Sequence, residues 1–316
     1  FPRGILDVAG FGPEDFVPEG LEYYGNLSFL KAGLVFADKL TTVSPTYARE
    51  ITQSKERGFG MEGLLRQRKN DLSGILNGLD LEVWNPETDA ALAMRYSAKD
   101  PTLGKAACKR ALQKESGLVD ATRKPLVAIV SRLDRQKGLD LAIEALETRL
   151  KKIQLVVVGS GNPALQETFS NLARLWAGSV HFRSGFDEAF AHRTYAGADL
   201  FLMPSRFEPC GLGQMIAMRY GTPAIVSSTG GLADTVLEAS SDGRPANGFL
   251  AAPGDAESLG QAIDRALFAY EAVSWPARVS SALQVVSNWD HPAAAYLEVY
   301  EQALKIAQAR TARSMR

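Results

Sequence analysis

Pro204-Ser205-Arg206-Phe207-Glu208-Pro209-Cys210-Gly211-Leu212-Gly213-Gln214 is the stretch from which the rest of this chain is read. The apolar run Ala198–Met203 before it predicts a buried strand that ends in a turn, and the pattern from Gly211 to about Tyr220 predicts a helix. A Glu on a strand-to-helix loop, with glycines at the helix start, suits a phosphate-linked sugar. The first N–H groups of a helix are unpaired and attract an anion, while a carboxylate accepts hydrogen bonds from sugar hydroxyls. A Gly-rich turn carrying a solvated Glu fits the loop equally well in isolation. The surroundings must decide.

Working outward, Pro125 to Asn288 alternates apolar strands with helical patterns. Strands are expected at Leu126–Ser131, Gln154–Gly159, Val180–Arg183, Leu200–Met203, Pro223–Ser227 and Gly248–Ala251. Helices are expected at Leu139–Lys151, Pro163 to about Ala177, Glu188–Ala196, Gly211–Tyr220, Gly231–Glu238 and Ala256–Ala272. Near-continuous apolar strands separated by helices mean an α/β fold with a parallel sheet covered on both faces. Ligands of such sheets bind at the carboxyl ends of the strands, near a switch in strand order.

Residues 1–75 read differently: Pro and Gly break up Phe1–Gly25, followed by a helix (Ser28–Asp38), a strand (Lys39–Val43), a helix (Pro45–Thr52) and a strand-like Asp71–Asn77. These units are too few for a separate doubly wound sheet, so this part reads as the end of a domain. Trp84 to Gly117 reads as a polar linker with one charged helix, Lys105–Lys114, and a last helix is expected from Pro292 to Ala307.

At 316 residues the chain has the length of about two domains. A formal net charge of -1 argues against a nucleic-acid footprint. Cys108 and Cys210 have no metal spacing and are too few for a disulfide framework, which suits a reducing compartment. No apolar run approaches the roughly 18 residues needed to span a bilayer, so no membrane partner is expected. Phe1-Pro2-Arg3-Gly4 does not open a signal peptide, and the missing initial Met suggests a fragment or a processed chain.

Four polar or Gly-rich loops fall at predicted strand ends. In Ser131-Arg132-Leu133-Asp134-Arg135-Gln136-Lys137-Gly138, Arg132 and Lys137 could converge on a diphosphate, although two basic loop residues are also common as solvated surface. Asp134 and Arg135 fit that surface role. Gly159-Ser160-Gly161-Asn162 resembles a nucleotide-binding turn, and a tight turn for helix packing explains it as well. Phe186, in Ser184-Gly185-Phe186-Asp187, could stack on a base or merely staple the next helix. In Ser228-Thr229-Gly230-Gly231, Ser228 or Thr229 can cap a helix whose bare N–H groups suit a phosphate, or the segment is simply a capped helix start. His192 reads as structural, and the scattered histidines make no metal site. Taken together on one sheet edge, these loops and Glu208 describe a pocket for a nucleoside-diphosphate sugar.

With these residues in place the chain resembles the bacterial glycogen synthase and plant starch synthase family, retaining glycosyltransferases of the two-domain GT-B fold. The resemblance runs from about Leu21 to Tyr300 through Tyr24-Gly25-Asn26-Leu27-Ser28, Thr42-Val43-Ser44-Pro45, Gly60-Met61-Glu62-Gly63-Leu64, Asn77-Gly78-Leu79-Asp80, Ser131-Arg132-Leu133, Gln136-Lys137-Gly138, Arg206-Phe207-Glu208-Pro209-Cys210-Gly211-Leu212 and Thr229-Gly230-Gly231-Leu232. It implies transfer of glucose from ADP-glucose to the non-reducing end of an α-1,4-glucan, with no metal and no other cofactor.

By position it implies that Arg132 and Lys137 hold the diphosphate, that Glu208 meets the glucose hydroxyls, and that Phe186 stacks on adenine. Gly211, Leu212 and Gly213 would offer backbone N–H groups, with Cys210, Thr229, Gly230 and Gly231 beside them and Asn77 at an interdomain hinge near the sugar. The implied layout has residues 1–75 as the tail of an acceptor-side Rossmann-like domain, 76–290 as the nucleotide-sugar domain, and a helix in 291–316 crossing back to the first. The setting would be the bacterial cytoplasm, or a plastid in a plant. Retention is expected to proceed by front-face attack, because no carboxylate pair suggests double displacement.

The sequence departs from the family pattern at Gly213, where many relatives carry Thr, which predicts weaker ADP binding. The family's Lys-x-Gly-Gly-Leu loop and most of its first domain have no counterpart, so the expectation is a chain carrying the donor-binding half. Ile216 occupies the place of a second Glu found in related transferases, which favours the glycogen synthase branch. The alternatives are a non-catalytic ADP or nucleotide-sugar-binding module, a GT-B transferase with another donor, and a structural interaction protein.

Overall fold

The computed structural model describes residues 1–185, 187–238, 245–285 and 288–314. The chain divides into two compact units, Phe1–Leu76 with His291–Arg316, and Asn77–Asp290.

In the first unit a short antiparallel pair, β1 (Glu22–Tyr23) and β2 (Asn26–Leu27), leads into α1 (Phe29–Phe36), whose first turn is capped by Ser28 accepting from the Lys31 N–H. β3 (Leu40–Thr42) and α2 (Pro45–Gln53) follow, then α3 (Lys55–Gly58), α4 (Glu62–Gln67) and β4 (Leu72–Gly74), which pairs in parallel with β3. A small core of Leu40, Ile51, Met61 and Leu65 holds these elements together. Arg68 ties them further, giving its guanidinium to the carbonyls of Leu34 and Ala37 and to Asp71.

The second unit opens with α5 (Thr102–Glu115) and continues β5 (Leu126–Val130), α6 (Leu139–Glu147), β6 (Gln154–Gly159), α7 (Pro163–Leu175), β7 (Val180–Ser184) and α8 (Glu188–Gly197). Then come β8 (Leu200–Met203), α9 (Gly213–Arg219), β9 (Ala224–Ser227), α10 (Gly230–Thr235), β10 (Gly248–Ala251), α11 (Ala256–Tyr270) and α12 (Trp275–Leu283). The six strands are all parallel, in the order β10-β9-β8-β5-β6-β7. Chain order therefore reverses between β5 and β8.

One face of this sheet, with Val127, Ile129, Leu155, Val157, Leu202 and Ile225, packs under α6, α7 and α11 through Leu139, Leu146, Phe169, Leu259 and Ile263. Burying each such side chain contributes roughly 1.5–3 kcal/mol. The expected α/β class with a two-sided parallel sheet is what forms.

Three local expectations need correction. Residues 84–117 are no linker: Tyr96, Cys108 and Leu112 are buried, α5 packs on α8, and Trp84 stacks on His192 at 4.1 Å. The helix expected over Gly231–Glu238 stops at Thr235, because the Asn247 side chain accepts from Leu237 N–H and donates to the Thr235 carbonyl. The last helix is longer than expected, α13 (Asp290–Ser314). Among the described residues, no helix is long and apolar enough to cross a membrane.

Candidate functional site

The loops after β5 and β8 leave the carboxyl edge of the sheet on either side of the strand-order reversal, where an open α/β sheet forms a crevice. They are fastened to each other. Gly138 has φ +64°, and a Cβ there would stand 2.0 Å from the Pro204 carbonyl oxygen, so only glycine lets the two backbones touch. Arg206 N–H donates to the Gln136 carbonyl (2.8 Å), and Gln136 Nε2 donates to that of Phe207 (3.2 Å). Arg206 also grips Asp140 with both terminal nitrogens, at 2.7 and 2.6 Å, and this fork holds the Asp140 carboxyl below its usual range.

That junction brings Lys137 to Glu208. Lys137 Nζ lies 2.5 Å from Glu208 Oε2, and both side chains are largely buried. Ser205 Oγ donates to the same Oε2 at 3.0 Å. Asp134 accepts from the Lys137 N–H and so caps the short turn Arg135–Lys137, a structural task rather than the surface role expected for it. Arg132 is not drawn into this cluster. Its side chain is 71% exposed and pairs with Asp134 at 3.3 Å.

Behind Glu208 the chain turns at Gly211 into α9, which begins at Gly213 with no capping side chain. Gln214 Nε2 holds that turn by donating to the carbonyls of Gly211 (2.7 Å) and Cys210 (3.3 Å) and to Thr235 Oγ1 (3.1 Å). The buried Cys210 thiol is pushed up by burial, partly offset by a hydrogen bond with the Asn77 backbone. Asn77 thus reaches the same loop.

The glycine pair of α10 works differently from the expected bare phosphate cradle. Gly231 N–H donates to the carbonyls of Glu208 (3.1 Å) and Pro209 (3.2 Å). A Cβ on Gly230 would lie 1.9 Å from the Glu208 carbonyl oxygen, and one on Gly231 would lie 1.9 Å from that of Cys210. The pair therefore supports the Glu208 loop from below. Thr229 takes the N-cap position of α10 without the expected side-chain capping bond.

The Gly159–Asn162 turn is likewise bound to its neighbour, since Leu133 N–H donates to the Ser160 carbonyl (2.8 Å) and Asn162 N–H to that of Leu133 (2.7 Å). Phe186 lies outside the described residues. His192 is buried away from these loops, with Nδ1 2.7 Å from Asp89 Oδ2 and 3.1 Å from the Tyr220 hydroxyl. No group of three or more His, Cys, Asp or Glu able to hold a metal occurs among the described residues.

Sequence reasoning missed Ser205, Gln136, Gln214 and the Arg206–Asp140 fork. Ser205 carried a local signal, since a hydroxyl three residues before a loop carboxylate can reach it. Gln136 and the Arg206–Asp140 fork depend on contacts between distant segments, and Gln214 joins its local bonds to one with Thr235.

The chain is similar to known glycosyl transferases. The family described as "Glycosyl transferases group 1" matches residues 113–272, and "Starch synthase catalytic domain" matches residues 1–67. A glycogen synthase of Elusimicrobium minutum is 45% identical over 305 residues, 96% of this chain and 63% of that protein. A glycogen synthase of an Anaeromyxobacter species is 48% identical over 302 residues, 95% of this chain and 63% of that protein. The solved catalytic domain of starch synthase IV from Arabidopsis thaliana, bound to ADP and acarbose, superimposes with a TM-score of 0.86 at 36% identity, covering 92% of this chain and 62% of that one. The chain thus spans somewhat less than two thirds of the relatives it matches.

Proposed function

The chain belongs to the group 1 glycosyl transferases, in the glycogen and starch synthase family with the GT-B fold, and from that premise we propose that it carries the donor side of a retaining hexosyltransferase. The donor is ADP-glucose, and the glucose passes to the non-reducing end of an α-1,4-glucan. The Lys137–Glu208 pair at the strand-order reversal is the observation that carries this reading. It sets a cation for phosphate beside a carboxylate for sugar hydroxyls.

In this reading the diphosphate draws Lys137 toward itself, and Arg132 swings in from the rim as a second cation. Two positive charges meet the departing phosphate where negative charge develops, which lowers the barrier by several kcal/mol. Glu208 orients the glucose with Asn77 and Cys210 nearby. The backbone of Gly211, Leu212 and Gly213 faces the phosphates, while Thr229, Gly230 and Gly231 brace that turn. Phe186 takes the adenine. In this reading retention proceeds by front-face attack, with the leaving phosphate accepting the acceptor's proton. A trapped glucosyl-enzyme adduct would rule out that route. Residues 1–75 with the 291–316 helix belong to the acceptor side, and the bacterial relatives favour a cytoplasmic setting.

Titration with ADP and with ADP-glucose tests the reading. At a hundredfold excess over Kd, bound ligand should stabilise the chain by about 2.7 kcal/mol. No thermal shift with either ligand rejects a donor site, and an unchanged shift in Lys137→Ala rejects the phosphate role of Lys137.

A further inference from the structure

Among the described residues, Glu208 is held through a single oxygen. Lys137 and Ser205 both address Oε2, at 2.5 and 3.0 Å, and neither reaches Oε1. The two donors differ in how they can respond to a ligand. The Lys137 ammonium ends a flexible stem rooted in the opposite loop, and a diphosphate can recruit it. Ser205 is fully buried, and its hydroxyl carries one proton, already committed to Oε2. Its backbone follows directly on Pro204, the first residue after β8, whose carbonyl is pressed against Gly138.

We propose that Ser205 is the positioning residue that keeps Glu208 aimed at the sugar once the donor's diphosphate has taken Lys137. This rests on the donor-site reading above. A buried carboxylate that loses its charge partner is costly and free to change rotamer, unless another donor still holds it. Ser205 is that donor, and it pins Oε2 so that Oε1 remains for a glucose hydroxyl. The hydroxyl does not touch the nucleotide. Its loss therefore weakens recognition of the sugar and spares recognition of ADP.

Calorimetric titration of the whole 316-residue chain with ADP and with ADP-glucose tests this. In the unsubstituted chain ADP-glucose should bind more tightly than ADP. In Ser205→Ala, nearly isosteric, that preference should fall about tenfold while the ADP affinity stays within about twofold, since a hydrogen bond to a charged group carries an effect of this size. Ser205→Thr keeps the hydroxyl and should restore the preference. An unchanged preference in Ser205→Ala, or equal losses for both ligands, overturns the positioning role and leaves the donor site standing. Absence of ADP binding in the unsubstituted chain overturns the donor-site reading and the positioning role with it.

Discussion

At the amino edge of the six-stranded sheet, the charges of Lys105, Lys109 and Asp199 are answered from within the chain. Lys105 gives its ammonium to the carbonyls of Ala196, Ala198 and Tyr220 and to Thr222 Oγ1, all within 3.1 Å. Lys109 lies 2.6 Å from Asp199 and also donates to the carbonyls of Thr122 and Lys124. A cavity of about 730 Å3 opens there, lined by these saturated groups together with Arg123, Glu271, Tyr270 and Trp275. At the carboxyl edge the accounting is incomplete: Arg132 is mostly exposed, and among the described residues Glu208 is held through one oxygen only. The same residue types thus serve cohesion at one edge and remain available for a ligand at the other. Saturation by internal partners, rather than charge itself, separates the two roles.

Substitutions can break that contrast, and the largest effect is expected at the amino edge. Lys109→Met takes the charge partner from the Asp199 carboxylate, leaving it the Leu126 N–H, and should cost about 3–5 kcal/mol in denaturant melts, with ADP affinity unchanged in the folded fraction. An equal loss of ADP affinity would mean that the two edges are not separate in function.

Lys105 provides a pH signature of the same edge. Burial pushes its pKa down to about 8, against about 10.4 for an unfolded lysine. Below pH 8 both states carry the proton, and the cost of the enclosed ammonium is present in full. Between about pH 8 and 10 the folded state releases the proton and the unfolded state keeps it, so stability rises with pH. The stability of the unsubstituted chain relative to Lys105→Met should therefore rise by about 2 kcal/mol across this window.

Arg132→Ala probes the other edge. It should leave the melting temperature unchanged, because exposed pairs contribute little, and weaken ADP binding about tenfold. The smallest effect belongs to Gly213→Ala. The new methyl would meet Phe201 Cζ at 3.2 Å, a contact relieved by a small ring shift, at a cost below about 1 kcal/mol. ADP affinity within twofold of the original would sharpen the view that this turn acts through its backbone.

The strands were legible because β5, β6, β8 and β9 are buried on both faces and read as unbroken apolar runs. Residues 84–117 were not legible for the converse reason. The face of α5 turned inward carries Lys105, Lys109 and Gln113, which hydropathy assigns to water and which only distant partners such as Asp199 and Gln154 render buriable. At the site, the spacing within each loop exposed Lys137 and Glu208 as candidates. It could not reveal that they meet, since 71 positions separate them and the contact depends on β8 lying beside β5. The glycines of α10 were visible as a motif but ambiguous in purpose. A ligand's phosphate and a neighbouring carbonyl make the same demand on a backbone, namely the absence of a side chain.

The Gly138–Pro204 contact has a mechanical meaning. With that backbone touch, the Arg206 N–H to Gln136 bond and the Arg206–Asp140 fork all in place, the loops after β5 and β8 share one set of rigid-body coordinates. Thermal displacement carries both together, so the relative placement of a cation from one loop and a carboxylate from the other is far better defined than the absolute position of either.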